Sequence, residues 1–404
     1  STSMLIFTNN LLLIKICYMF KSHDNFYRSI KHYLLIKYVF FICIFSSFSL
    51  LAQDKELSLL NLPEGFSIEI FADNVKAPRQ MAEGNKYIYT ASGPMGEIYA
   101  LLDSNGDNKI DSKITLASGL YNSRGVTFRN GNLYFAEVDK IWVIENVEEQ
   151  LDLNLNEFPE KKLITDNLPS DAWHGWKWIK FGPDNKLYVP VGAPCNVCLE
   201  ELEDDSRYAS IMRLNDGNWE YVARGVRNSV GFDWHPITQE LYFGDNGRDW
   251  LGDDSPSCEL NVVKEDDSFY GFPFMHATDV VDPDFGDNKK DFIAPILELG
   301  AHVAPTGVAF YSNDHFPDEY QNTLFITLHG SWNRMSHPSG YTVVAVSTDK
   351  EGNITGYKDF ITGWLQGKKA WGRPSAPFML SDGSLLVSDD KYNVIYRVTY
   401  NSES

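Results

Sequence analysis

The eight residues from Asp171 to Trp178, DAWHGWKW, set His174 among Trp173, Trp176 and Trp178. An imidazole titrating near pH ~6.5 can take a proton from a substrate at neutral pH, and flat aromatic neighbours can shield the reacting atoms. A core histidine satisfied by a hydrogen bond is the alternative. Other polar residues stand in comparable settings: Arg124 in NSRGVTF; Arg224, Arg227 and Asn228 in ARGVRNSVGF; Asp245, Asn246, Gly247, Arg248 and Asp249 in GDNGRD. Further along come His329, Trp332, Asn333 and Arg334 in HGSWNR, then Trp371 and Arg373 in WGRPSAP. Several guanidinium groups aimed at one cavity repel one another unless an anion lies between them. Their planar forks match carboxylates or phosphates, so as a set they imply a polyanionic ligand. Any one of them alone fits an ion pair with a nearby Asp equally well.

Such residues share a site only if the fold brings distant segments together, and a repeat supplies the means. Six segments follow one pattern, a strand-like start, a turn rich in Gly, Asn or Asp, and a β-rich run ending in a polar residue: MAEGNKYIYTASG, GVTFRNGNLYFAE, WIKFGPDNKLYVPVG, GFDWHPITQELYFGDNG, GVAFYSNDHFPDEYQNTLFITLHG and FMLSDGSLLVSDD. Aligned on Tyr89, Tyr134, Tyr188, Tyr242, Phe325 and Leu386, they lie 45, 54, 54, 83 and 61 residues apart. Each predicts a β-hairpin, and EIYALLD, KIWVIEN, IMRLN and NVIYRVTY supply further strands. Long amphipathic helices are missing. Short strands at blade-sized spacing predict an all-β, six-bladed β-propeller, formed as one domain over about residues 58 to 400 of the segment 53–404. In such a fold the loops at one end of the central channel converge, and the chemically suggestive residues sit at the repeat edges.

Composition narrows the partners. The 404-residue chain is 43% hydrophobic with a formal net charge of −20. From Met19, a basic stretch precedes the apolar run YVFFICIFSSFSLL and the small residue Ala52, the order of a secretory signal. The run of 14 residues is short for a membrane span of about 20. Residues 1–52 are therefore read as an upstream extension plus a signal peptide, with an uncleaved anchor as the alternative; the mature chain would be periplasmic or secreted. Those residues hold five Lys/Arg and one Asp, so their removal leaves a net charge near −24, which opposes binding to nucleic acid or an anionic membrane. Cys195 and Cys198 of CNVC are read as a local disulfide rather than part of a zinc site, because no second CxxC or HxxxH completes a tetrahedron. Cys258 is left odd and expected to be buried.

HGWKW…FGPDNKLYVPVGAPCNVC, GVRNSVGFDWHP, GDNGRDWLGDD…CELN…YGFP, HGSWNR and GRP…LSDGSLLVSDD…IYRVTY together resemble the sorbosone dehydrogenase branch of the soluble glucose/sorbosone dehydrogenases, from about Leu60 to Tyr400. These are six-bladed quinoproteins that use pyrroloquinoline quinone (PQQ), and a PQQ-dependent pyranose dehydrogenase is related. The resemblance implies a sugar or aldehyde substrate, a soluble external electron acceptor, and His174 as the general base. It implies PQQ contacts at Arg227, Asn228 and Arg373, with His329 or Arg334 and the neighbourhood of Trp371 and Arg248 contributing. It implies Ca²⁺ held largely by backbone carbonyls at Gly247 and Arg248, with Asp245 as a side-chain helper. It also supports the CNVC disulfide.

DSNGDNKID, residues 103–111, is a second calcium candidate through Asp103, Asn105, Asp107 and Asp111, but its Gly106 and Ile114 depart from an EF-hand loop, so a polar turn is favoured. Asp253, Asp254 and Glu259 fit a structural ion or a solvated acidic loop. Two other functions stay open: a metal-dependent lactonase-type hydrolase, and a propeller that binds a glycan or a protein without catalysis. A nicotinamide enzyme is disfavoured because ASGPMG lacks the GxGxxG spacing and no βαβ unit surrounds it.

Overall fold

The computed structural model describes residues 56–153, 157–286 and 291–401, and the chain divides into the units Ser1–Ser58 and Leu59–Ser404. The leader expected over residues 1–52 lies outside the described residues. Among those described, no helix is long and apolar enough to cross a membrane.

Six sheets, five of four antiparallel strands and one extended to five, form the blades of a six-bladed β-propeller in the second unit, with two two-stranded ribbons beside them among the described residues. The first blade is Pro78–Glu83, Ile88–Ser92, Glu97–Leu102 and Ser112–Ala117; the second is Gly125–Arg129, Asn132–Ala136, Ile141–Ile144 and Lys162–Thr165. The third runs Lys180–Phe181, Leu187–Val191, Ser210–Asn215 and Asn218–Arg224, extended by Ser268–Phe269 in parallel pairing. The fourth is Phe232–Trp234, Leu241–Asp245, Ser257–Val263 and Leu297–Ala301, and the fifth is Pro305–Phe310, Leu324–Leu328, Thr342–Thr348 and Ile354–Ile361. Pro374–Met379, Leu385–Asp389 and Val394–Tyr400 begin the sixth, whose outer strand is the N-terminal Phe66–Ala72.

Each of the six sequence motifs is the first hairpin of a blade. Second strands such as LYVPV and LLVSD are buried along their whole length, because both faces pack against neighbouring sheets. Strict alternation would waste one face there, which is why these runs are almost continuously apolar.

Side chains near the axis tie the blades together. Gln80 Oε1 accepts the amides of Val126 and Ile179 at 3.1 and 3.0 Å, and its Nε2 donates to Ile179 O at 2.7 Å, joining three blades. Asp233 accepts Phe310 N at 2.9 Å and pairs with Lys180 Nζ at 2.5 Å. Thr306 and Thr327 both donate to Ser375 O, at 2.8 and 2.9 Å.

The ring closes where Phe66–Ala72 pairs with Val394–Tyr400, from Phe66↔Tyr400 to Ala72↔Ile395. The Phe66 ring meets Phe316, Tyr320 and Phe360 edge-on at 4.8–5.1 Å between centroids, so the closing strand also binds the fifth blade. Phe66→Ala should lower the free energy of unfolding by about 3 kcal/mol, read as a shift of the urea midpoint; an unchanged midpoint would show that closure does not depend on this strand.

Candidate functional site

At one end of the channel the loops before the inner strands meet the loops after the second strands around a cavity of about 380 Å³. His174, Arg227, Asn228, Gly247, His329 and Arg373 all line it, drawn from four blades. Trp173, Trp176, Trp332 and Asn333 complete much of the wall.

His174 lies in the loop between Lys162–Thr165 and Lys180–Phe181, at φ +50°. A residue with a Cβ in the left-handed region costs of order 1–3 kcal/mol and persists only when its surroundings enforce it. Gly192 provides room: a Cβ there would come within 2.6 Å of the His174 Cβ and 2.8 Å of its carbonyl oxygen. His174 Nδ1 sits 2.8 Å from Ala193 O. A carbonyl can only accept, so Nδ1 carries the proton and Nε2 keeps its lone pair. Burial, and then the Arg227 charge, lower the His174 pKa to about 3, against the opposing effect of the Ala193 bond. The ring is thus a neutral imidazole with a free acceptor nitrogen in a cationic pocket.

Arg227 is buried, and its Nε donates to Asn196 O at 2.9 Å, its Nη1 to Asn246 O at 3.0 Å, and its Nη2 to Asn196 Oδ1 at 2.9 Å and Asp249 Oδ2 at 3.3 Å. Four of its five N–H groups are satisfied, three by neutral carbonyl oxygens and one by the Asp249 carboxylate, which leaves one N–H for a ligand. Arg373 is similar, with Nε on His329 O at 3.1 Å and Nη2 on Gly330 O at 2.5 Å. The acidic residue ending a second strand aims both arginines. Asp245 accepts the amides of Arg227 and Asn228 at 2.8 and 2.7 Å, and Asp389 accepts that of Arg373 at 2.9 Å.

Other sequence candidates are placed differently. Asp245 spends both carboxylate oxygens on those amides, which leaves it a loop anchor beside the cavity. The Arg248 side chain is turned to Asp282 and Asp284 and is absent from the wall, so any contact it makes there is through its backbone. Arg334 pairs with Asp254 at 2.5 Å, and Trp371 donates to Gly363 O at 2.9 Å; neither lines the cavity. Arg224 pairs with Asp267 away from it. His329 does line it, with Nε2 2.8 Å from Asp390 Oδ1, and burial is the main cause that lowers its pKa to about 4.

In DSNGDNKID, Asp103 and Asp111 accept amide N–H groups of their own loop, Gly106 N at 2.7 Å and Ser104 N at 2.8 Å. Asp253 likewise accepts the amides of Met335 and Ser336, and Glu259 accepts that of Ala277. Among the described residues no three His, Cys, Asp or Glu side chains converge to hold a metal, so a cation at this pocket would rest on backbone and amide oxygens.

Arg79 carries no sequence signal, whereas Arg124 stood among the repeat-edge arginines. Both lie over the Trp176 ring, 4.6 and 3.9 Å from its centroid, and Arg79 pairs with Asp390 at 2.5 Å. They form a cationic layer against Trp176 and do not line the cavity themselves. Asn196 belongs to the disulfide Cys195–Cys198, while Cys258 is free and buried, both as expected.

The family model for glucose/sorbosone dehydrogenases matches residues 147–333, and a TrAA12-like model matches residues 271–401. The chain belongs to the glucose/sorbosone dehydrogenase family. An uncharacterised protein of Borreliella burgdorferi is 37% identical over 396 residues, 92% of this chain and 97% of the relative. A calcium structure of a Trichoderma reesei AA12 carbohydrate-active enzyme superposes with a TM-score of 0.71 at 18% identity, covering 85% of this chain and 97% of that one. The holo form of the pyranose dehydrogenase PQQ domain from Coprinopsis cinerea gives 0.68 at 18% identity, over 84% of this chain and 97% of that one. At such identities the superpositions establish the shared propeller. In this member of the glucose/sorbosone dehydrogenase family, Gly192→Ala should cost about 2 kcal/mol of stability through overpacking against His174. Chemical denaturation checks this, and a variant as stable as the parent would show that the His174 loop yields freely.

Proposed function

We propose that this chain is an exported dehydrogenase that takes PQQ and Ca²⁺ and oxidises the hydroxyl or hydrated aldehyde of a sugar-like substrate, passing the electrons to a soluble external acceptor. One observation carries it: a neutral imidazole with a free nitrogen shares a cavity with two arginines that are held mainly by neutral carbonyl oxygens. The residues present fit a carboxylate-bearing planar cofactor. Arg227 keeps one N–H unspent for a carboxylate, and Asn228 Oδ1, buried without a partner, is an acceptor suited to a cation or a donor group beside it. Arg227 and Arg373 would hold the carboxylates, with Asn228 Nδ2 as a further donor and the neutral His329 lining the pocket beside them, and backbone oxygens at Gly247 and Arg248 would hold the cation. When bound, PQQ supplies the electron-pair acceptor and Ca²⁺ polarises it.

This chain's own part is binding, orientation and proton handling. His174 Nε2 takes the substrate hydroxyl proton while the Ala193 carbonyl fixes the tautomer. Trp173 and Trp332 border the cavity and restrict water around that nitrogen. A lactonase-type hydrolase would instead need convergent carboxylate ligands, which favours the dehydrogenase.

Purified protein incubated with PQQ and Ca²⁺ should reduce an artificial acceptor with at least one of a panel of aldoses, alcohols and aldehydes; complete inactivity with all of them would end the proposal. His174→Ala should lose about 10²–10⁴-fold in kcat while keeping the fold. The lowered pKa of His174 means it stays unprotonated, and competent as a base, as the pH falls through 6.5. The acid limb of the kcat/KM profile should therefore lie well below that value, and a limb centred at 6.5 would contradict the assignment.

A further inference from the structure

We infer that Asn196 is a positioning residue, and that the Cys195–Cys198 disulfide acts through it to aim Arg227 into the cavity and so sets the affinity for a carboxylate-bearing ligand. The inference rests on the anionic-ligand part of the proposed function. Asn196 is the only residue that contacts Arg227 through both its backbone and its side chain among the hydrogen bonds recorded for that guanidinium. Its Oδ1 also accepts Asp249 N at 2.9 Å, and its Nδ2 donates to Asp249 O at 3.1 Å, which joins the CNVC loop to the GDNGRD loop.

The loop itself is held from two directions. Cys195 and Val197 pack on a small core of Ala193, Ala209 and Phe272, which turns the intervening Asn196 the other way, toward Arg227. The disulfide spans Cα atoms 6.0 Å apart and closes the turn on either side of Asn196. Ala193, two residues upstream of Cys195, accepts from His174 through its carbonyl and donates its amide to Arg227 O at 2.8 Å. The short stretch from Ala193 to Cys198, closed by the disulfide over its last four residues, therefore touches both His174 and Arg227.

The chemistry of Asn196 matters as much as its place. Asp249 already sets one carboxylate against this guanidinium, and a second at position 196 would offset its charge further and lose the Nδ2 bond to Asp249 O. The amide and peptide oxygens of Asn196 hold the guanidinium without adding negative charge.

The test is equilibrium binding of PQQ, followed by quenching of tryptophan fluorescence, and of citrate, followed by thermal shift. Both are measured on the full chain, on Asn196→Ala, on Asn196→Asp and on Cys195→Ala/Cys198→Ala. Asn196→Ala and the double cysteine variant should each weaken binding about 10–100-fold, the effect expected of residues that orient a ligand-binding group. Asn196→Asp and Asn196→Ala both lose the Nδ2 bond to Asp249 O, but only the Asp variant adds a negative charge beside Arg227, so it should bind citrate more weakly than Asn196→Ala does, which a purely structural role would not produce. Should Asn196→Ala fail to fold, the Asp variant and the cysteine pair carry the test. Binding of both ligands within twofold of the parent in the Asn196 variants would overturn the inference. Failure of the parent to bind PQQ, with citrate binding still dependent on Asn196, would defeat the cofactor proposal and leave this one standing.

Discussion

A guanidinium that leaves water must recover its lost hydration from fixed dipoles or counter-charges, and Arg227, only 3% exposed, recovers most of it from neutral oxygens. Burial lowers its pKa, opposed chiefly by Asp249 and Asp245. That constraint organises the neighbourhood. The CNVC turn must present Asn196, the GDNGRD turn must present Asn246 and Asp249, and Asp245 must hold the Arg227 amide. Burial keeps His174 neutral, and the same positive charge adds to it. Binding site and base are thus coupled through one buried cation.

The propeller meets this constraint because it holds loops from separate blades against one another without any loop having to be stable alone. Gln80, Asp233 and Thr306 bind neighbouring inner strands at the axis, and the Phe66–Ala72 strand closes the ring. The strained φ of His174 is tolerable in such a frame. The loop is closed between the second and third blades, and Gly192 leaves the space it occupies.

Much of this was legible from residue order. The six hairpin motifs mark the first two strands of every blade, because buried second strands demand runs such as LYFGD and LFITL and tight turns demand Gly, Asn or Asp. His174, Arg227, Asn228, His329 and Arg373 stood out because costly polar residues sat at repeat edges, and the structure brings them to one cavity. Side-chain direction was not legible. Arg248 and Arg334 carry the same charge as Arg227 but face Asp282 and Asp254, partners remote in sequence. The outer strand FSIEIFA had no repeat signature, since it completes a blade 300 residues away. Asn196 looked like a spacer between two cysteines, and its role appears only once Arg227 is placed in space.

The central claim is that Arg227 and Arg373 form the anion-binding half of a site completed by His174. Titration of the purified protein with PQQ in the presence of Ca²⁺, followed by the quinone absorbance, tests it most directly. Saturable one-to-one binding to the parent protein, abolished in Arg227→Ala/Arg373→Ala and kept in His174→Ala, is the predicted result. Equal binding by the parent and the double arginine variant, or none by the parent, would contradict it.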